Sequence, residues 1–325
     1  METNGNKPKI SLLSSIKTTV LLWILLSGGI ISAEGQCLSA INPIGGSQNL
    51  LVLEKNTLRV ITFYRYHYGN RYFSGDSPAS FKNIRYAGYN YAGTIVGYGL
   101  SGKVTLEGEW GYFINKTQIY RGEPERKMKG SGFPPLVVSL KGSLLKDDIN
   151  RLFISASGGA KVPLRRELQV RDGALLPMEV QPSSGAWGAV AQFFVVKEKP
   201  VSGSRYFFTA RMESNARNRE DYRLGNALYT SLFYSKHLMF PWLKGDWTAI
   251  VQLRNELRGR DTLASGTKES SGGQILYLSP QINTTLAEKW NLSFTMDLPL
   301  YQHFHGTQMS SRCGFAFNLA RDFPL

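Results

Sequence analysis

Short turns and long polar connections alternate along this chain, and this constrains the fold more than any other feature. The short turns cover residues 101–103, 146–150, 198–202 and 287–289, with a slightly longer one at 239–244. The long connections cover residues 69–88, 115–131, 162–185 and 258–273, with a shorter one near 303–310. When antiparallel strands run up and down, such alternation puts the long loops at one rim and the short turns at the other.

The segments between these connections alternate apolar and polar residues with a period of two, which is typical of β-strands. The clearest cover residues 290–298, 104–114, 136–144, 152–160, 247–253 and 313–320. Weaker ones cover residues 58–68, 89–99, 187–196, 205–213, 224–235 and 274–284. We therefore predict an all-β fold, an antiparallel up-and-down transmembrane β-barrel of about 12 strands, with long external loops and short periplasmic turns.

The N-terminus has the pattern of a secretory signal peptide. Lys7, Lys9 and Lys17 flank the start of an apolar stretch at residues 20–26, and Ser32-Ala33 offers small residues for cleavage. After Ala33 no stretch is apolar and long enough for a transmembrane helix. The predicted domains are a signal peptide at 1–33, a periplasmic leader or plug at 34–50, and the barrel at 51–325.

The formal net charge is +14, but the basic residues are scattered, so we expect no nucleic-acid partner. The excess favours contact with outer-membrane lipid and lipopolysaccharide. The other expected partners are a small-molecule solute and the barrel-assembly machinery, in the outer membrane of a Gram-negative-type bacterium. Cys37 and Cys313 are the two cysteines, and we expect them to be unpaired rather than a disulfide.

Charged residues on the polar side of the predicted strands are the candidate lining of the lumen. A charge that faces lipid at mid-membrane costs about 2–4 kcal/mol, so these residues belong inside the barrel or at a rim. The set is Arg59, Arg65, Glu107, Glu109, Lys141, Lys161, Arg205, Arg211, Glu213, Arg254, Glu256 and Asp297. Both signs occur, so the charges either pair with one another or line a narrow polar path.

We find no sequence motif for catalysis, a metal or a cofactor, and we predict that the chain is not an enzyme. His303 and His305 could form a metal pair, but no third ligand is near in sequence. Ser310 and His305 could meet as a nucleophile and base, as in a barrel hydrolase, but a serine-rich chain offers many such pairs.

Three segments resemble one bacterial outer-membrane family. They are residues 71–76 (RYFSGD), residues 275–280 (ILYLSP), and residues 298–302 (LPLYQ) followed by Gly306-Thr307-Gln308. These are similar to strand-and-turn signatures of the transporter group named for a meta-pathway of phenol degradation. The chain departs from that group in ending on Pro324 and Leu325 after Phe323, and in having one cysteine near its mature N-terminus.

The resemblance implies an outer-membrane β-barrel that passes small, often aromatic or hydrophobic solutes. We therefore expect a channel or transporter for passive passage of such solutes. A non-conducting barrel whose external loops bind a partner or ligand is the alternative, and a barrel hydrolase is a third reading.

Overall fold

The computed structural model describes residues 50–81, 83–239, 245–287 and 289–325, and twelve long strands within them form a closed antiparallel barrel. Each strand pairs with the next, and the last pairs with the first from Thr57↔Pro324 to Tyr68↔Cys313. The predicted barrel is thus confirmed. The strands are β1 (Thr57–Gly69), β2 (Ile84–Ser101), β3 (Val104–Tyr120), β4 (Leu136–Asp147), β5 (Leu152–Val162), β6 (Gly188–Lys199), β7 (Ser204–Asn215), β8 (Ala227–Leu238), β9 (Asp246–Arg258), β10 (Gly273–Leu286), β11 (Trp290–Met309) and β12 (Cys313–Pro324).

Several predicted features lie outside the described residues, namely the signal peptide, the leader up to residue 49 and Cys37. Cys313 is a free cysteine. In the part of the chain that the structure describes, no helix is long and apolar enough to cross a membrane.

The side chains of the barrel are apolar outside and polar inside, the reverse of a soluble protein. Large outward side chains are exposed on many strands, among them Leu106, Trp110, Leu140, Phe193, Leu232, Val251, Phe294, Met296 and Phe317. Inward positions of the same strands hold buried polar groups, among them Glu107, Lys141, Gln192, Thr209, Ser231, Gln252, Ser293 and Asn318. This two-sided pattern fits a wall between lipid and a lumen.

The connections are asymmetric, as predicted, but part of what the sequence places in the long loops is strand. The segment predicted as a connection near 303–310 lies largely in β11, which extends to Met309 and pairs with Tyr72–Gly75. Most of the predicted connection at 115–131 is also strand, because β3 continues to Tyr120 and pairs with Arg126–Gly132. Beyond the part of the barrel that faces lipid, both faces of a strand can be polar. These extensions therefore show no alternation of apolar and polar residues in the sequence.

A β-bulge in β3 changes which residues face the interior. The register shifts between Phe113 and Lys116, so both of these side chains are buried although they are three residues apart. A bulge places two residues opposite one and re-aims the side chains that follow it. Lys116 therefore points into the barrel at its long-loop end.

Candidate functional site

A network of ion pairs joins three strands across the barrel interior. Arg211 on β7 donates from Nη1 and Nη2 to the carboxylate of Glu109 on β3, at 3.0 and 3.2 Å. Its Nε donates to Glu213 at 2.8 Å, and Lys161 on β5 donates to the other Glu213 oxygen at 2.5 Å. Arg211 is 1% exposed, and the side chains of its partners Glu109 and Glu213 are 13% and 11% exposed.

A second cluster joins β9, β10 and β11. Arg254 donates to both oxygens of Asp297 at 3.0 Å each, and its Nε lies 2.9 Å from Glu256. Ser279 donates to Asp297 at 2.6 Å, and the guanidinium of Arg254 lies 4.5 Å from the centre of the Tyr277 ring. Such bidentate, charge-assisted hydrogen bonds hold the side chains in one geometry.

The remaining predicted charges lie apart from these two clusters. Lys141 pairs with Glu107 at 2.7 Å, and both are buried. Arg59 and Arg205 are at the rim with the short turns, where they pair with Asp322 and Glu198. Arg65 places its guanidinium 5.1 Å from the centre of the Phe63 ring. That these twelve residues line a solute path remains a prediction.

Aromatic side chains cover one side of the inner wall, a feature that the charge-based prediction missed. Phe63, Tyr89, Tyr91 and Phe113, from β1, β2 and β3, belong to one buried cluster. The ring centres of Tyr91 and Phe113 are 5.0 Å apart, and those of Phe63 and Tyr91 are 5.7 Å apart. The alternation of Tyr89, Tyr91 and Gly93 in β2 is the sequence signal that could have indicated this surface.

Residues 50–54 precede β1 and lie inside the barrel. Ser155 donates to the carbonyl of Leu50 at 3.0 Å, and the amide of Leu53 donates to Thr105 at 2.8 Å. A methyl group on Gly99 would lie 1.9 Å from the carbonyl oxygen of Glu54, so only glycine permits this approach. The segment packs on the opposite wall through Leu50, which contacts an apolar cluster of Phe194, Val196, Phe207, Phe233 and Ile250.

The long connection at residues 163–187 also folds inward, at the other end of the barrel. Val180 and Gln181 are 1% and 3% exposed. Lys116 donates to the carbonyl of Gln181 at 2.8 Å, and the Gln181 side chain donates to the carbonyls of Gln169 and Leu176. Because these contacts satisfy buried backbone groups, the connection has a defined conformation.

A cavity of about 100 Å³ lies beneath this inward loop. Its walls combine the Tyr91–Phe113 pair with the Arg211 network, Lys116 and Arg258, and residues 181–184 of the loop line it as well. A second, open cavity of about 1090 Å³ lies at the short-turn rim, lined by Arg59, Glu198, Arg205 and Asp322 among others. The interior thus has open space toward both ends.

The histidines and serines weighed for other chemistry have separate partners. Ser310 donates to the carbonyl of Arg71 at 3.0 Å, whereas His305 Nδ1 lies 2.8 Å from Arg260. The rings of His303 and His305 are 5.8 Å apart, and the described residues contain no group of three ligands suited to a metal. A pair not considered from sequence, His67 and Ser311, is buried with Nε2 and Oγ 2.6 Å apart.

Comparison with solved structures identifies the type of barrel. An outer membrane channel from Pseudomonas putida F1 aligns with a TM-score of 0.66 at 13% identity, covering 87% of this chain and 100% of the channel. The chain has the same barrel fold as that protein. With its apolar exterior, the chain is accordingly an outer-membrane β-barrel, as predicted.

The β domain of the Bordetella autotransporter BrkA aligns at a TM-score of 0.46 with 11% identity, over 83% of this chain and all of that domain. No protein-family model matches the sequence, and no curated protein matches it.

Proposed function

We propose that this barrel is a passive channel for small hydrophobic or aromatic solutes, and that it is not an enzyme. The observation that carries the proposal is the aromatic pair of Tyr91 and Phe113, which borders a cavity inside the barrel and belongs to the same buried cluster as Phe63. Contact with an apolar wall is favourable for an apolar solute, because it removes apolar surface of both from water. The charged groups of the Arg211 network are bonded to each other, so they attract free ions only weakly.

The route of the proposed passage runs from the cavity under the 163–187 loop to the open cavity at the short-turn rim. The Arg211–Glu109 bridge lines the first cavity, and residues 50–54 lie beside Arg59 and Arg205 of the second, so we expect both to control passage. Transport would be driven by the solute gradient alone. The resemblance to the phenol-degradation transporter group supports an aromatic solute.

Single-channel recording on the refolded full chain in planar bilayers tests this proposal. We expect small, steady current steps whose size falls when phenol is added, because an aromatic solute in the lumen blocks ions. Folding is checked by the slower migration of heated protein in SDS gels. A silent bilayer with folded protein contradicts the channel proposal.

The alternative function is a non-conducting barrel whose external loops bind a partner. Contacts between those loops support it. Lys268 pairs with Glu179 at 2.8 Å and Arg219 pairs with Glu167 at 2.7 Å, which joins three connections. Tyr222 also donates to Asp261 between two of them. The same bilayer recording separates the two functions, because this alternative expects no current.

We also propose that the barrel contacts the phosphates of lipopolysaccharide. Lys127 and Lys129 lie opposite Ile119 and Thr117 in the extension of β3, on the face away from Lys116. Both lysines are exposed. Below them the outward face carries Tyr112 and Phe133, whose ring centres are 5.0 Å apart. Aromatic residues lie at the interface of the membrane, so lysines above them are at headgroup level.

A further inference from the structure

Lys116 is a buried cation that borders the cavity and forms no salt bridge with any residue that the structure describes. It is 3% exposed. Lys116 Nζ donates to the carbonyl of Gln181 at 2.8 Å and lies 5.0 Å from the centre of the Phe113 ring. An ammonium group has three donors, so two remain for another acceptor.

The carboxylates near Lys116 already have partners. Glu109 and Glu213, which line the same cavity, are bonded to Arg211 and Lys161. Glu179 on the inward loop interacts with Lys116 at longer range but is paired with Lys268 at 2.8 Å. The cavity is lined by four cations and two carboxylates, the cations being Lys116, Lys161, Arg211 and Arg258. This surplus of positive charge favours an anion.

The surroundings of Lys116 also favour an aromatic ring. Tyr91 and Phe113 both line the cavity, with their ring centres 5.0 Å apart. A ring that packs against these two would bring a substituent within reach of the Lys116 ammonium, because the ammonium lies over Phe113. Aromatic pairs at such distances add about 0.5–1.5 kcal/mol beyond burial of area.

We propose that this cavity binds small aromatic monocarboxylates, with the carboxylate at Lys116 Nζ and the ring against Tyr91 and Phe113. The inference rests on the proposed function and narrows its solute class from aromatic to anionic aromatic. Lys116 is also a contact of the inward loop, through the carbonyl of Gln181. With its remaining donors on the carboxylate, the ammonium would link the bound solute to the loop that covers the cavity.

Isothermal titration calorimetry on the refolded full chain in detergent micelles tests the site. The probes are benzoate, benzamide, which has the same shape without charge, and acetate, which has the charge without a ring. We expect benzoate to bind about tenfold more tightly than benzamide, since charge-assisted hydrogen bonds are roughly twice as strong as neutral ones. Acetate should bind more weakly than benzoate by a similar factor because it lacks the ring.

Two substitutions locate the anion. Lys116→Met keeps much of the aliphatic stem and removes the charge. The affinity for benzoate should therefore fall to that for benzamide. Lys103→Met, the same change at an exposed lysine in a short turn, should leave both affinities unchanged. Lys116→Arg retains the charge and should keep the preference for benzoate, which leaves the test decisive if the methionine variant does not fold.

Equal affinity of the wild-type chain for benzoate and benzamide would overturn the proposal, as would full benzoate binding by folded Lys116→Met. Benzoate selectivity in a chain that gives silent bilayers would contradict the channel function and leave the site standing. Current steps from a chain that shows no benzoate preference would contradict the site and leave the channel function standing.

Discussion

Arg211 on β7 and Glu109 on β3 are 102 positions apart in sequence and meet through two hydrogen bonds, at 3.0 and 3.2 Å, across the barrel interior. Arg211 also bonds to Glu213, which has a second partner in Lys161, whereas no other salt bridge to Glu109 is found among the described residues. Arg211 therefore neutralises a carboxylate that is otherwise buried without a cation. The bridge connects two strands that are not neighbours in the sheet through the interior of the barrel.

Replacement of Arg211 by Met should destabilise the barrel by about 3–5 kcal/mol, because removing one partner leaves a buried, uncompensated charge. The free energy of unfolding, from urea titrations in lipid vesicles, measures this cost. Arg205→Met is the matched control on the same strand. That side chain is 60% exposed and paired at the rim, so its loss should cost about 0–1 kcal/mol. Similar costs for the two variants would contradict a stabilising role of the bridge.

Replacement of Gly99 by Val should increase single-channel conductance. Its Cβ would lie 1.9 Å from the carbonyl oxygen of Glu54, so the backbone of residues 53–54 must move away from the wall. Gly158→Val is the control, because a Cβ there meets no atom within 4 Å. Unchanged conductance in folded Gly99→Val would show that residues 50–54 do not limit the current.

Acid should weaken the contact that holds the inward loop. Burial alone would raise the pKa of Glu179, but the ammonium of Lys268 at 2.8 Å outweighs it and holds the pKa below its ordinary value. A carboxyl with a lowered folded-state pKa stabilises the fold above its unfolded pKa, about 4.3, and this contribution is lost as the pH falls through the folded value.

Limited proteolysis of the 163–187 loop with pepsin, from pH 5 to pH 2, follows this loss. Cleavage of the wild-type loop should rise as the pH falls below about 4. Glu179→Gln cannot titrate, so its loop should be cleaved readily across the whole range. A wild-type loop that stays protected throughout would rule out a role for the Glu179–Lys268 pair in holding it.

The double substitution Lys127→Glu and Lys129→Glu should weaken binding to lipopolysaccharide. Each basic residue near an anionic membrane surface contributes about 1 kcal/mol, and reversal removes attraction and adds repulsion. Co-sedimentation with vesicles that contain lipid A, compared with vesicles of phosphatidylcholine, measures the change. Lys103→Glu with Lys146→Glu alters charge equally at the short-turn rim and should have no effect. If both double variants lose binding equally, the attraction depends on the net charge of the protein and not on Lys127 and Lys129.

Strand alternation predicted the barrel well where one face meets lipid and the other is polar, as in residues 290–298. It was weak in β6, where Phe194 and Val196 face inward against the apolar cluster around Leu50 while Phe193 faces outward. Apolar residues on both faces remove the period of two. The extensions of β3 and β11 were missed because polar residues occur on both of their faces, which also removes the period of two.

The site was less predictable than the fold. Alternation indicated that Arg211 and Glu109 face inward, but the partner of each depends on how far strands are staggered when the barrel closes. Lys116 could not be assigned, since the bulge at residues 113–116 reverses the alternation and the sequence marks no bulge. The inward path of residues 163–187 depends on contacts with distant residues, such as Gly130 against Val180.

The pairing of β1 with β12 also sets an order for folding. The other eleven strand pairings join neighbours in the chain and can form as local hairpins, whereas this one joins the two ends. Non-local pairings are slow because the entropy of loop closure is lost before their contacts form. Until the last strand arrives, β1 and β11 each keep an unpaired edge that can recruit another chain. Completion of the barrel is therefore the step at which aggregation competes most directly with folding.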